Sequence, residues 1–124
     1  MMKNEFIPYE QALALKELGF DESCYNQYTD GTLDLPCTKY DYPDCVESIP
    51  APLYQQAFRW FREKYNLVAE IQAPDGKNGK WNPTIHKAYG FGNHYDNDGF
   101  NTYEKAELAC LRKLIEIVNR NKDE

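Results

Sequence analysis

The chain has 124 residues, enough for one domain of ordinary size that buries a core without disulfide or metal staples. Its apolar fraction of 42% and aromatic fraction of 15% exclude a disordered chain, and no apolar run approaches the ~20 residues of a membrane span. The net charge of −6 is uneven: residues 1–50 carry three Lys against ten Asp or Glu, a net of −7, and residues 51–124 carry a net of +1, which argues against broad binding to phosphate backbones.

Met1 to Phe6 lacks the apolar stretch of a signal peptide, which predicts a cytoplasmic protein. Cys24, Cys37, Cys45 and Cys110 are then expected as free thiols. The first helix is predicted over Pro8 to Leu18. Proline suits the first helical position, where its missing N–H would have no partner. Ala12, Leu13, Leu15 and Leu18 supply an apolar face. Gly19 fits the left-handed residue that ends a helix, with Phe20 folding back onto Leu15 in a Schellman cap.

Residues 21–50 are the least regular stretch. Cys24 to Tyr28 and Thr32 to Leu35 flank Thr29-Asp30-Gly31, and Asp-Gly predicts a short hairpin. Pro36, Pro43 and Pro50 interrupt any long element, and Lys39 to Asp44 reads as an extended loop.

A second helix is predicted from Pro52 to about Tyr65, because Tyr54, Ala57, Phe58, Phe61 and Tyr65 recur at helical spacing. Asn66 suits a left-handed stop. Leu67, Ala69, Ile71 and Ala73 then alternate with Val68, Glu70 and Gln72, the period of a strand. Pro74 to Gly79 is a turn, and Trp81 to Tyr89 is the return strand. Pro83 cannot donate to a ladder, so this strand is expected at an edge or pairing only after it. Tyr89-Gly90-Phe91-Gly92 bends it or starts a third, irregular strand.

The last helix is predicted over Tyr103 to Asn119, capped by Thr102. Glu104 and Glu107 near its start and Arg120 and Lys122 near its end suit the helix dipole. Two apolar stripes run along it: Tyr103, Ala106, Cys110, Leu114 and Ile117, and Leu108, Leu111, Ile115 and Val118. A helix so broadly apolar is expected to be covered on two sides, by a sheet and by a helix or a second subunit. Phe58, Phe61, Ile71, Cys110, Leu114 and Ile117 are the expected core.

Few residues carry an obvious chemistry. Twelve and seven residues separate Cys24, Cys37 and Cys45, and no Cys-x-x-Cys pair is present, so no zinc chelate and no metal is expected. His94-Tyr95-Asp96-Asn97-Asp98-Gly99 echoes a calcium loop, but placing Gly99 at the loop's glycine puts His94 and Lys105 at its first and last ligand positions. It reads as an Asp/Asn/Gly turn before the final helix. His86 and His94 are the only histidines, and no nucleophile motif, phosphate loop or dinucleotide fingerprint accompanies them. No catalytic residue and no cofactor is assigned. The strongest candidate surface is acidic and aromatic: Tyr25, Tyr28, Tyr40, Asp41, Tyr42 and Asp44. Tyrosine favours interfaces because it buries area yet keeps a polar tip, and carboxylates beside it suit a basic partner.

Phe6 to Phe20, Ala51 to Arg62 and Tyr103 to Leu111, read as FIPYEQALALKELGF, APLYQQAFRWFR and YEKAELACL, together resemble a group of short, uncharacterised proteins of gut bacteria and their phages or mobile elements. The three phrases occur in the same order and cover about a third of the chain. The resemblance implies a small accessory protein of the kind a mobile element encodes, and it brings no catalytic or binding residue with it. The second half also follows the element order of double-stranded RNA-binding domains, but two acids open its last helix where those domains place phosphate-reaching bases.

The reading is a single α+β domain over 1–124, with three helices packed around a small antiparallel sheet in the order helix, hairpin, helix, hairpin, helix. The expected function is that of a non-enzymatic accessory factor binding a host protein, one form of it a phosphate mimic. The alternatives are a nucleic-acid-binding module using Trp81, Tyr89 and Phe91 of the second hairpin, and a small enzyme with a pocket at His86 or His94. Tight binding of nucleic acid near physiological salt is not expected, no membrane partner is expected, and a homo-oligomer is compatible with the sequence.

Overall fold

The structure is a computed structural model that describes residues 5–22, 26–29, 32–34, 48–74, 79–87, 95 and 97–122. The fold is α+β: helix α1 (Tyr9–Glu17), strands β1 (Asn26–Thr29), β2 (Thr32–Asp34) and β3 (Ser48–Ala51), helix α2 (Tyr54–Tyr65), strands β4 (Leu67–Gln72) and β5 (Asn82–Lys87), and helix α3 (Tyr103–Lys122). The predicted order of helices and hairpins holds, with β3 added. The strands form two sheets instead of one, β2-β1-β3 and β4-β5, both antiparallel. The chain divides into two compact units, Met1–Gln56 and Ala57–Glu124, with α2 running through the division.

In the first unit, α1 ends in the Schellman arrangement. Phe20 N–H donates to Leu15 O at 3.0 Å and Gly19 N–H to Lys16 O at 3.0 Å. Gly19 has φ +102°, a conformation open to glycine at little cost. Leu15 and Phe20 are both buried, as that motif requires. At the other end, Pro8 is the N-cap and not the first helical residue, with extended backbone at ψ 159°. Ile7 N–H donates to Pro52 O at 3.0 Å, and Phe6 bridges to Leu53. These contacts draw the start of α1 to the chain just after β3, and α1 packs on β3. Strand β3 departs from the sequence reading, which treated Pro50 as a breaker. Pro50 lies opposite Gln27 on a strand at the sheet edge, where proline is tolerated.

In the second unit, Asn66 has φ +59° and stops α2 as predicted, with its N–H on Arg62 O at 3.1 Å. Strand β4 starts at the next residue and pairs with β5 from Leu67↔Lys87 to Gln72↔Asn82. Pro83 sits inside the pairing, opposite Ile71. Beyond β5, Trp81 and Phe100 exchange both backbone hydrogen bonds at 2.8 Å. Asn97 Nδ2 donates to Pro83 O at 3.0 Å, and Asn97 Oδ1 accepts from Gly99 N–H at 2.9 Å. That second bond makes an Asx turn within the Asp/Asn/Gly turn expected before α3. Thr102 caps α3, its Oγ1 accepting from Lys105 N–H at 3.2 Å.

Helix α3 packs on both β4 and β5. Ala106, Cys110, Leu111, Leu114, Ile115, Ile117 and Val118 are all buried, which accounts for both stripes apart from half-buried Tyr103 and Leu108. Phe58 and Phe61 are buried as expected, but Ile71 is only half-buried. Ile71 lies near the end of β4, a strand whose outer side no other strand pairs with among the described residues.

Candidate functional site

Of the six residues expected to form the acidic aromatic surface, Tyr25, Tyr40, Asp41, Tyr42 and Asp44 lie outside the described residues. Tyr28 is described, and it is only 9% exposed. Its hydroxyl donates to Ile7 O at 2.8 Å, and its ring meets Tyr9 edge to face with centroids 5.4 Å apart. Burial raises its phenol above the ordinary tyrosine value. In a four-residue strand at the centre of its sheet, Tyr28 ties β1 to the entrance of α1. Its role is packing, and little of it is left for a partner.

Among the residues whose exposure is described, the acids of the first unit lie in residues 5–22. Glu5, Glu10, Glu17 and Asp21 are exposed, Glu22 is half-buried, and Lys16 is the one cation in the stretch. Glu10 and Glu17 are seven residues apart on α1, which returns them to one face about 10 Å apart along the axis. Gln56 Nε2 donates to Glu22 Oε1 at 3.2 Å, so that carboxylate lies beside the start of α2.

The second hairpin gives a different picture. Trp81 is half-buried and meets Tyr103 edge to face, with centroids 5.3 Å apart. The ring is used in joining β5 to α3. Tyr89, Phe91 and His94 lie outside the described residues. His86 is half-buried on the face of β5 that also carries Asn82 and Thr84.

One polar cluster was missed at the level of sequence. Glu107, placed near the helix start by the dipole argument, is only 7% exposed. It hydrogen-bonds the side chain of Tyr103, one helical turn earlier, and the phenol of Tyr103 is raised by burial first and then by this carboxylate. Tyr95 is raised by burial, with Cys110 and Glu116 adding to it. Cys110 is pushed up to about 12, by burial and then by Glu107. The signal was legible in principle, since Tyr103 and Glu107 stand at i and i+4. Chemically the cluster is quiet. A thiol near 12 is protonated at neutral pH, and the thiolate is the nucleophile.

Among the described residues no group of three or more His, Cys, Asp or Glu is placed to hold a metal ion. Cys24, Cys37 and Cys45 lie outside them. Among the described residues no helix is long and apolar enough to cross a membrane. No protein-family model, curated protein or solved structure matches the chain.

Proposed function

We propose that the chain is a small, non-enzymatic accessory protein that binds another protein through the acidic surface of its N-terminal unit. The supporting observation is the placement of charge. Glu5, Glu10, Glu17 and Asp21 stand exposed in a stretch with a single cation, at the start of a 50-residue segment with a net charge of −7. Such a surface steers a basic partner toward it and repels a phosphate backbone. Tyr25, Tyr40 and Tyr42 belong to the same segment and would supply the aromatic anchors that interfaces favour. An accessory role of the kind mobile elements encode is what the resemblance of the three helical phrases implies. A nucleic-acid-binding role through the second hairpin has less behind it, because Trp81 packs against Tyr103.

The test is capture from host lysate by the wild-type chain and by a triple variant, Glu10→Lys with Glu17→Lys and Asp21→Lys. All three positions are exposed, so the variant should keep its circular dichroism spectrum and melting profile. A basic protein retained by the wild type, released by salt and absent from the variant supports the reading. Equal capture by both chains, or release of the partner only by nuclease, contradicts it.

A further inference from the structure

Sheet edges expose rows of unpaired N–H and C=O groups, and proteins blunt them by shortness, proline, lysine or cover. Among the described residues, three of the four sheet edges are blunted. Strand β2 has three residues, and β3 contains Pro50. The outer side of β5 is held by the Trp81–Phe100 pair and by Asn97 on Pro83 O. Strand β4 is the exception. It runs six residues, LVAEIQ, without Pro or Lys, and among the described residues no strand pairs with its outer side. Val68, Ala69 and Ile71 are left half-buried, so apolar side chains flank the open edge.

We propose that β4 is a self-association edge, pairing antiparallel with β4 of a second copy to make a continuous four-stranded sheet. A two-fold pair across a strand is isologous, so the sequence must complement its own reverse. Leu67, Ala69 and Ile71 share a face with Pro83 and Ile85, while Val68, Glu70 and Gln72 share the other with His86 and Thr84. A two-fold axis at Ala69 keeps each face matched. Leu67 then lies opposite Ile71 of the second copy, and Val68 opposite Glu70. The neighbouring in-face choices are worse. An axis at Glu70 sets the two Glu70 carboxylates opposite each other, and an axis at Val68 shortens the overlap. One pair of edge strands buries less than a stable interface needs, so the association is weak, appearing between micromolar and near-millimolar concentration.

The register supplies a test with two signs. Val68→Glu puts a carboxylate opposite Glu70 twice in each dimer, and Val68→Lys puts an ammonium there twice. Both residues are poor strand formers, so both carry a similar cost within one chain. Sedimentation velocity over a hundredfold range of concentration reads the dimer, with melting at the dilute end as the check on folding. Cross-strand charge pairs of this kind predict roughly tenfold weaker dimerisation for Val68→Glu, and Val68→Lys equal to or tighter than wild type. Amide exchange at Leu67 to Gln72 should slow as the dimer forms. A wild-type chain that stays monomeric near millimolar overturns the proposal. So does a dimer that both substitutions weaken alike, or that neither one alters.

Discussion

Two glycines with left-handed backbone provide a matched pair of perturbations. Gly79 has φ +63° and Gly99 has φ +89°. A Cβ on Gly79 would meet nothing within 4 Å, whereas a Cβ on Gly99 would lie 2.7 Å from Lys80 Cβ and 3.4 Å from Trp81 O. Lys80 Cβ is fixed to the backbone and cannot swing away, and the Trp81–Phe100 hydrogen bonds hold the two segments together at 2.8 Å. Gly79→Ala therefore carries only the left-handed penalty, about 1–2 kcal/mol. Gly99→Ala carries that penalty and a forced backbone shift of about 1–3 kcal/mol more. For 124 residues the unfolding entropy is about 0.26 kcal/mol/K, so Gly79→Ala should lower Tm by roughly 4–8 °C and Gly99→Ala by roughly 8–19 °C. Thermal denaturation followed by circular dichroism reads both. Equal melting of the two variants would refute the close approach of Gly99 to Lys80, and with it the placement of the turn that leads into α3.

Phe61 is fully enclosed, with Trp60 and Tyr65 rings at 5.1 and 6.0 Å, so Phe61→Ala should cost about 3–5 kcal/mol; a shift in melting below ~4 °C would show that the site is not core. Cys110 should resist alkylation at pH 8 in the native protein and react in denaturant, which peptide mapping after iodoacetamide distinguishes; rapid native labelling would contradict its burial. Its raised value also sets a pH trend. The unfolded thiol loses its proton near 9.0 and the folded one near 12, so the folded state holds the extra proton between them and stability falls as pH rises through that window. Buried Tyr28 and half-buried Tyr95 and Tyr103, all raised by desolvation, push the same way at still higher pH, and a denaturation midpoint that rose above pH 9.0 would contradict these assignments. Chelator should leave Tm unchanged, and a drop of several degrees reversed by zinc would show that Cys24, Cys37 and Cys45 form a site.

The parts of the fold that local chemistry determines were legible in the sequence. Gly19 with Phe20, Asn66 and Thr102 each mark a helix end through their own backbone or side chain, and each stands where it was placed. The parts that depend on a distant neighbour were not. Pro50 reads as a breaker until β1 pairs with β3 and leaves β3 at the edge of its sheet, where proline is tolerated. Ile71 has the right parity for the core, but parity says nothing about how far along β4 the cover extends. Glu107 fits the dipole argument equally well exposed or buried, and Tyr103 decides between them. Tyr28 counted toward an interface because tyrosines are common there, yet the Ile7 carbonyl takes its hydroxyl. Of the candidate surface, the acidic character of the first unit followed from counting charges.

The most direct measurement of the central claim, that this charge distribution suits a protein partner and not a phosphate backbone, is a titration of labelled DNA and RNA. Single- and double-stranded probes are each titrated at low and near-physiological salt. Residues 1–50 carry a net of −7, and exposed Glu104 stands in the first turn of α3, so few phosphates can be neutralised and few counterions released. The account predicts flat traces near physiological salt and at most weak binding at low salt. Sub-micromolar binding with a steep salt slope would contradict it and make the second hairpin the functional surface.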